Sequence, residues 1–159
     1  MSGDASFEDG AEKPINIGAF DLDDLKVVAS LVQDSVFPIS EMTWRAKDRR
    51  LAILLNRFRW EDKDAAERDG RAPERVQSIM VVEHVDAVSS QGVDRSDKET
   101  VLSLLDITFE NSDDVSGYVT LILAGDGIIR AKVEALEVSL KDVTRPYVAP
   151  SKSVPRHPS

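Results

Sequence analysis

The sequence predicts an α+β domain, mainly antiparallel β-sheet curled into a barrel-like or two-layer core, with one N-terminal helix. Three observations lead there. Apolar residues recur at helical spacing in one early stretch; most of the chain after Met42 alternates apolar and polar residues at strand spacing; and the order is strand, helix, hairpin, then four further strands. A pleckstrin-homology-like or other small open barrel fits that order.

The first strand is read from Ile15, Ile17 and Ala19, which alternate with Asn16 and Gly18. Asp21 then stands three residues before Asp24, where a carboxylate can accept the orphan N–H groups of a first helical turn. Leu25, Val28, Ala29 and Val32 follow at i, i+3, i+4 and i+7, one apolar stripe. Phe37-Pro38 marks the stop. From Met42 to Trp60 the period becomes two, with Asp48 and Arg49 as the expected turn residues. That turn sets Ala46 opposite Leu51, Trp44 opposite Ile53 and Met42 opposite Leu55, so six apolar side chains share a core face.

Glu61 to Arg75 has no apolar period and reads as a solvated loop. Val76 to Ser89 reads as a long strand covered on both sides. Val101 to Phe109 and Tyr118 to Ala124 are strands around a turn at Asn111 to Ser116. Gly125-Asp126-Gly127 is a strong hairpin signal leading into Ile129 to Ala135. The stretch 133–143 fits both periods and is read as a strand.

At 159 residues one core is expected, within a domain spanning 15–145. Residues 1–14 read as a disordered lead and 146–159 as an extended Pro-containing tail. The chain has no cysteine, which removes disulfides, thiolate nucleophiles and cysteine metal sites. No run approaches the roughly 18 apolar residues of a membrane span, and the acidic start is unlike a signal peptide. A cytoplasmic protein is expected. The net charge of −9 disfavours nucleic acid and anionic lipid at long range, so any basic patch must act locally.

One stretch runs against that charge. Residues 42–60 carry six basic side chains and one acid. Arg45, Lys47, Arg49 and Arg50 cluster at the hairpin end, where arginine forks suit an anionic partner, RNA or an acidic protein surface. Arg57 and Arg59 share the parity of Leu51, Ile53 and Leu55 and, with Trp60, are read as a second patch where the strand leaves the core. Pairing with the acidic loops of the same chain is the plainer reading of both clusters.

Reaction motifs are missing. There is no G-x-S-x-G elbow, phosphate-binding loop, dinucleotide fingerprint or H-E-x-x-H. His84 lies between Glu83 and Asp86, but strand neighbours point to opposite faces, so only Asp86 can share its side. Glu134, Glu137 and Asp106 are candidate carboxylates with no spacing that brings two together. No cofactor or metal is expected.

The run Leu55-Asn56-Arg57-Phe58-Arg59-Trp60-Glu61 is preceded by Lys47-Asp48-Arg49-Arg50 and followed by Arg75-Val76, Val101-Leu102-Ser103-Leu104 and the Gly-rich hairpin. In these phrases the chain resembles an alphaproteobacterial family of uncharacterised proteins, domain of unknown function 2948, from about Ile15 to Asp142. The resemblance implies a bacterial, cytoplasmic, standalone domain and brings no activity, cofactor or catalytic residue with it.

Three functions remain open at this level. The first is a non-enzymatic binding or regulatory module that uses the turn cluster against an anionic partner. The second is a hydrolase or isomerase of undescribed type, with carboxylates and His84 in a cleft. The third is a structural protein that self-associates through a strand edge or through Phe58 and Trp60.

Overall fold

A computed structural model of the chain describes residues 13–148. Most of the expected lead (1–14) and of the expected tail (146–159) lies outside them, but Tyr147 and Val148 of that tail pair with Arg75 and Glu74 as part of the sheet. Alternation of apolar and polar residues yields eleven strands, all paired antiparallel: β1 (Asn16–Ala19), β2 (Ser35–Pro38), β3 (Met42–Arg45), β4 (Arg50–Phe58), β5 (Glu74–Val82), β6 (Val85–Gln91), β7 (Val101–Asn111), β8 (Gly117–Leu123), β9 (Ile128–Val133), β10 (Val138–Asp142) and β11 (Tyr147–Val148). Their order is β1-β10-β5-β4-β2-β7-β8-β9-β6, with β3 added to β4 and β11 to β5. The path does not close: β1 and β6 are its two ends. Side chains from both halves of the path nonetheless join one core cluster, so the sheet wraps a shared interior.

Helix α1 (Leu22–Val32) starts as its sequence dictates. The Asp21 carboxylate accepts the Asp24 N–H at 2.8 Å, and Asp23 and Asp24 place negative charge at the positive end of the helix. Leu25, Val28 and Val32 are buried in the core, each contributing about 1.5–3 kcal/mol on removal from water. The helix ends before Asp34, which takes a left-handed backbone (φ 64°), and the chain turns into β2. Phe37-Pro38 therefore closes a strand rather than the helix. With only four residues, β2 is too short to show a period.

The β3–β4 hairpin is two residues out of the expected register: Trp44 faces Leu51 and Met42 faces Ile53. Its loop holds four residues, Ala46 to Arg49, closed by Asp48 N–H to the Arg45 carbonyl and Arg49 N–H to the Ala46 carbonyl. A shift of two preserves which face is inside, but it leaves Ala46 exposed in the loop and not opposite Leu51 in the core. Four residues are needed because the turn is completed by Arg49 in the left-handed region (φ 57°).

The single-helix expectation also needs correction. Within the expected loop lies a second helix, α2 (Lys63–Arg68), which buries its own Ala66 and is preceded by the buried Asp62. Six residues are too few to display a stripe, and charge pairing rather than apolar burial anchors this segment. The long strand expected over Val76 to Ser89 is two strands. His84, at φ 58°, breaks it, so β5 stays with β4 and β10 while β6 turns to β9. The ambiguous stretch is strand β10 from Val138. The β8–β9 hairpin forms as expected, with Gly125 (φ 82°) and Asp126 (φ 68°) supplying the positive dihedrals of its turn. No helix among the described residues is long and apolar enough to cross a membrane.

Gly117, the first residue of β8, lies so close to β7 that an added Cβ would strike the Glu110 carbonyl and come within 2.9 Å of the Phe109 ring. Gly18, on the outer strand β1, would meet only the exposed Phe20 ring. Gly117→Ala is expected to cost about 1–3 kcal/mol in urea unfolding, and Gly18→Ala to stay within about 0.5 kcal/mol. Equal midpoints for the two variants would contradict this packing.

Candidate functional site

Two sets of arginines lie at the two ends of strand β4, and the fold treats them oppositely. At its start the turn cluster is exposed and matched to acids. Arg45 pairs with Asp48 (3.0 Å), Arg49 with Asp86 (2.7 Å) and Glu134 (2.9 Å), and Arg50 with Glu83 (2.6 Å). The break at His84 makes this possible by bringing Glu83 and Asp86 to the hairpin end. Bonds from Glu134 and Asp86 hold the Arg49 pKa above the ordinary arginine value, and Glu83 does the same for Arg50. Lys47 alone of the four makes no ion pair among the described residues. The local excess of positive charge in the sequence is thus offset in space by acids from two other segments.

Arg57 and Arg59 do not form a second surface patch. Arg57 is 0% exposed and Arg59 4%. Parity places them on the inner face, and each is held there by carboxylates. All five N–H groups of Arg57 have acceptors. Nε donates to the Ser78 hydroxyl (3.0 Å) and Asp142 Oδ1 (3.1 Å), and Nη1 to Glu61 Oε1 (2.8 Å) and the Phe58 carbonyl (3.2 Å). Nη2 donates to Glu61 Oε2 (2.8 Å) and Asp142 Oδ2 (2.9 Å). Burial presses against this charge, but the bonds to Glu61 and Asp142 outweigh it and keep the Arg57 pKa above its ordinary value.

Asp142 is equally occupied, accepting also from the Ser78 hydroxyl (2.6 Å) and the Ile15 N–H (2.8 Å). Arg59 extends the network to Asp62 (3.3 Å) and Glu74 (2.7 Å), and Arg71 closes it on Asp62 (3.0 Å). Trp60 stands beside it, its indole N–H on the Gln33 carbonyl (2.9 Å) and its ring edge-on to Phe58 at 4.7 Å. This assembly pins α2 and both ends of the described chain to the sheet. Glu61, Ser78 and Asp142 were not singled out from the sequence. The signal that could have found them was the core parity of Arg57, which requires a buried counter-charge.

Of the candidate acid–base residues, His84 and Glu137 meet directly, Asp86 and Glu134 are both taken up by Arg49, and Asp106 stands apart on β7. His84 Nε2 lies 2.8 Å from Glu137 Oε1 at a half-exposed corner of the sheet, and the Asp106 carboxylate accepts the N–H of its own neighbour Ile107 (2.8 Å). Among the described residues no three His, Asp or Glu side chains converge as metal ligands would.

A mostly apolar concavity lies elsewhere, between α1 and β7. It is a groove of about 480 Å³ walled by Leu22, Leu25 and Ala29 on the helix and by Leu105, Ile107 and Phe109 on the strand, with Lys26 and Asp106 among its polar lining. A second cleft of about 370 Å³ shares Leu22 and Phe109 and extends the trough toward Asp21, Asp114 and Val115. Phe20, Leu22 and Val115 stand at that end 64%, 52% and 61% exposed.

Topology makes the groove. Strand β2 pairs with β7 only from Val101 to Leu104, because the chain leaves the sheet at Asp34, whose N–H caps the Leu104 carbonyl (2.8 Å). Beyond Leu104, β7 pairs with β8 alone, on its other side. The Ser112 N–H on the Ser116 carbonyl (2.9 Å) fixes the phase of that ladder. Glu110, Thr108 and Asp106 therefore bond to β8, while the N–H and C=O groups of Ile107, Phe109 and Asn111 turn toward the groove.

Fold and site together define a mainly antiparallel β domain with two short helices, whose sheet is left open along one strand beneath the longer helix. The chain belongs to a protein family of unknown function, domain of unknown function 2948, whose model matches residues 15–157. No curated protein and no solved structure matches the chain.

The two arginine sets should separate in stability measurements. Arg57→Met leaves Asp142 buried without its cation and is expected to cost about 3–5 kcal/mol, whereas Arg50→Ala removes only an exposed pair and is expected to leave stability close to that of the natural chain. Urea unfolding of both variants decides the matter; an Arg57→Met protein as stable as Arg50→Ala would show that the buried network is not what holds the ends of the domain.

Proposed function

We propose that this protein is a non-enzymatic binding module whose site is the groove between α1 and β7. The observation that carries the reading is the coincidence, in one trough, of apolar walls and a strand edge with unused backbone groups. Binding sites are characteristically concave, mostly apolar and equipped with a few directed polar groups. Exposed Phe20, Leu22 and Val115 extend the apolar surface from the trough, as expected where a partner completes the burial.

An anionic partner at Arg45, Lys47, Arg49 and Arg50 draws less support, because three of the four already face carboxylates of the same chain and an incoming phosphate or acidic protein would have to displace them. For the enzymatic alternative, Asp106 is the candidate carboxylate that reaches a concavity, and its Oδ1 is engaged by the Ile107 N–H.

The test is affinity capture from cells with the tagged full chain and two variants. Ser30 is exposed on the groove side of α1, so Ser30→Trp fills the trough with little demand on the core. The triple reversal Arg45→Glu, Lys47→Glu and Arg50→Glu removes the turn cluster. Retention of thermal stability by both variants is the control. A component captured by the natural chain and the triple variant but lost from Ser30→Trp is the expected result. Loss on charge reversal with Ser30→Trp unaffected would move the site to the turn and restore RNA or an acidic protein as the ligand class.

A further inference from the structure

From the open edge of β7 we infer the kind of partner the groove takes: an extended peptide segment with alternating apolar and basic residues, added as a strand in line with β2. This rests on the groove being the binding site and specifies its occupant.

The backbone geometry supplies the first reason. Residues Leu105 to Asn111 offer about 20 Å of strand edge at the usual rise per residue. Phe109 presents both N–H and C=O outward, Ile107 its C=O, and Asn111 its N–H, the pattern an added strand would meet. The site it would take is the sheet position that β2 vacates at Asp34. Main-chain bonds of this kind bind extended peptides with little regard to side chains, and flanking pockets then choose the sequence.

Side chains give the second reason. Residues on neighbouring strands that share a face lie about 5 Å apart and interact as pairs. Inward positions of an added strand would stand beside Ile107 and Phe109 and against Leu22, Leu25 and Ala29, all apolar. Outward positions would stand beside Asp106, Thr108 and Glu110. Asp21, Asp106 and Asp114 line the two clefts against a single cation, Lys26, and Asp23 and Asp24 add charge at the nearby start of α1. Apolar residues facing in and cations facing out satisfy both faces. Strand β9 of the same sheet already shows the pattern, with Ile129, Ala131 and Val133 inside and Arg130 and Lys132 outside.

The competing account is that α1 and the Asp106 carboxylate merely shield an edge that would otherwise aggregate. A labelled seven-residue peptide of alternating valine and lysine separates the two, together with its glutamate counterpart and a version N-methylated at alternate residues. Fluorescence anisotropy with the full chain should show the lysine peptide bound about tenfold or more tightly than the glutamate one. N-methylation, which removes the main-chain donors, should weaken it about tenfold or more. Amide exchange should slow at Phe109 and Asn111 on binding, with Thr108 and Glu110, already in the β8 ladder, unchanged. No binding, equal binding of the three peptides, or binding without protection at Phe109 overturns the inference. If Ser30→Trp has lost its captured component while the lysine peptide fails, the groove stands and only the strand-addition inference falls. If the peptide binds with that protection but Ser30→Trp captures as the natural chain does, the proposed function falls instead.

Discussion

The buried ion pair between Arg57 and Asp142 is the constraint around which the rest of the molecule is arranged. A guanidinium with no access to water must have its charge and all five donors answered inside the protein. Here the answer comes from β5 (Ser78), from the segment after β4 (Glu61) and from the end of β10 (Asp142). Because Asp142 also binds the backbone of Ile15, the first strand is fixed by the same carboxylate that fixes the last long one. The β1–β10 pairing, the seat of α2 and the docking of β10 on β5 all meet at this point. An apolar pair would pack as well but would not specify which strands must meet.

This network also bounds where recognition can occur. Its arginines are fully occupied, so the most basic stretch of the sequence offers an exterior ligand little, and the turn cluster is offset by acids of its own chain. The trough under α1 differs in kind. Its polar groups are main-chain groups of a strand that has lost a neighbour, and its walls are apolar. Natural sheets shield such edges with helices and charges, and α1 and Asp106 serve that end here while leaving space between helix and strand.

Local signals in the sequence were reliable where the cause of structure was local. The Asp21 cap, the stripe Leu25, Val28 and Val32, the Gly125-Asp126 turn and the inner face of β3 and β4 could all be read directly, since capping, burial and positive dihedrals leave their mark on adjacent residues. Short elements were hidden. β2 and α2 are set by what they pair with, and four or six residues cannot display a period. The break at His84 was hidden too, because the left-handed turn there falls on a residue without the usual glycine signature. The groove could not be read at all: it exists because β2 stops four residues along β7, a fact of topology. Arg57 lay between these cases, for its parity placed it inside, and only the identity of its partners depended on the fold.

Arg57 and Asp142 are 85 positions apart in the chain, and the Ile15–Asp142 bond spans 127. During synthesis, β4 emerges with Glu61 close behind it but long before the strand that ends on Asp142, the more deeply buried of the two counter-charges of Arg57. Until β10 arrives, only Glu61, Ser78 and the Phe58 carbonyl answer the Arg57 guanidinium, so burying it costs more than in the finished domain. Contacts of such long range also slow folding in proportion to the loops they must gather. A chain truncated before Asp142 would lose both the deeper counter-charge of Arg57 and the tie to Ile15, and is expected to be much less stable than the whole domain.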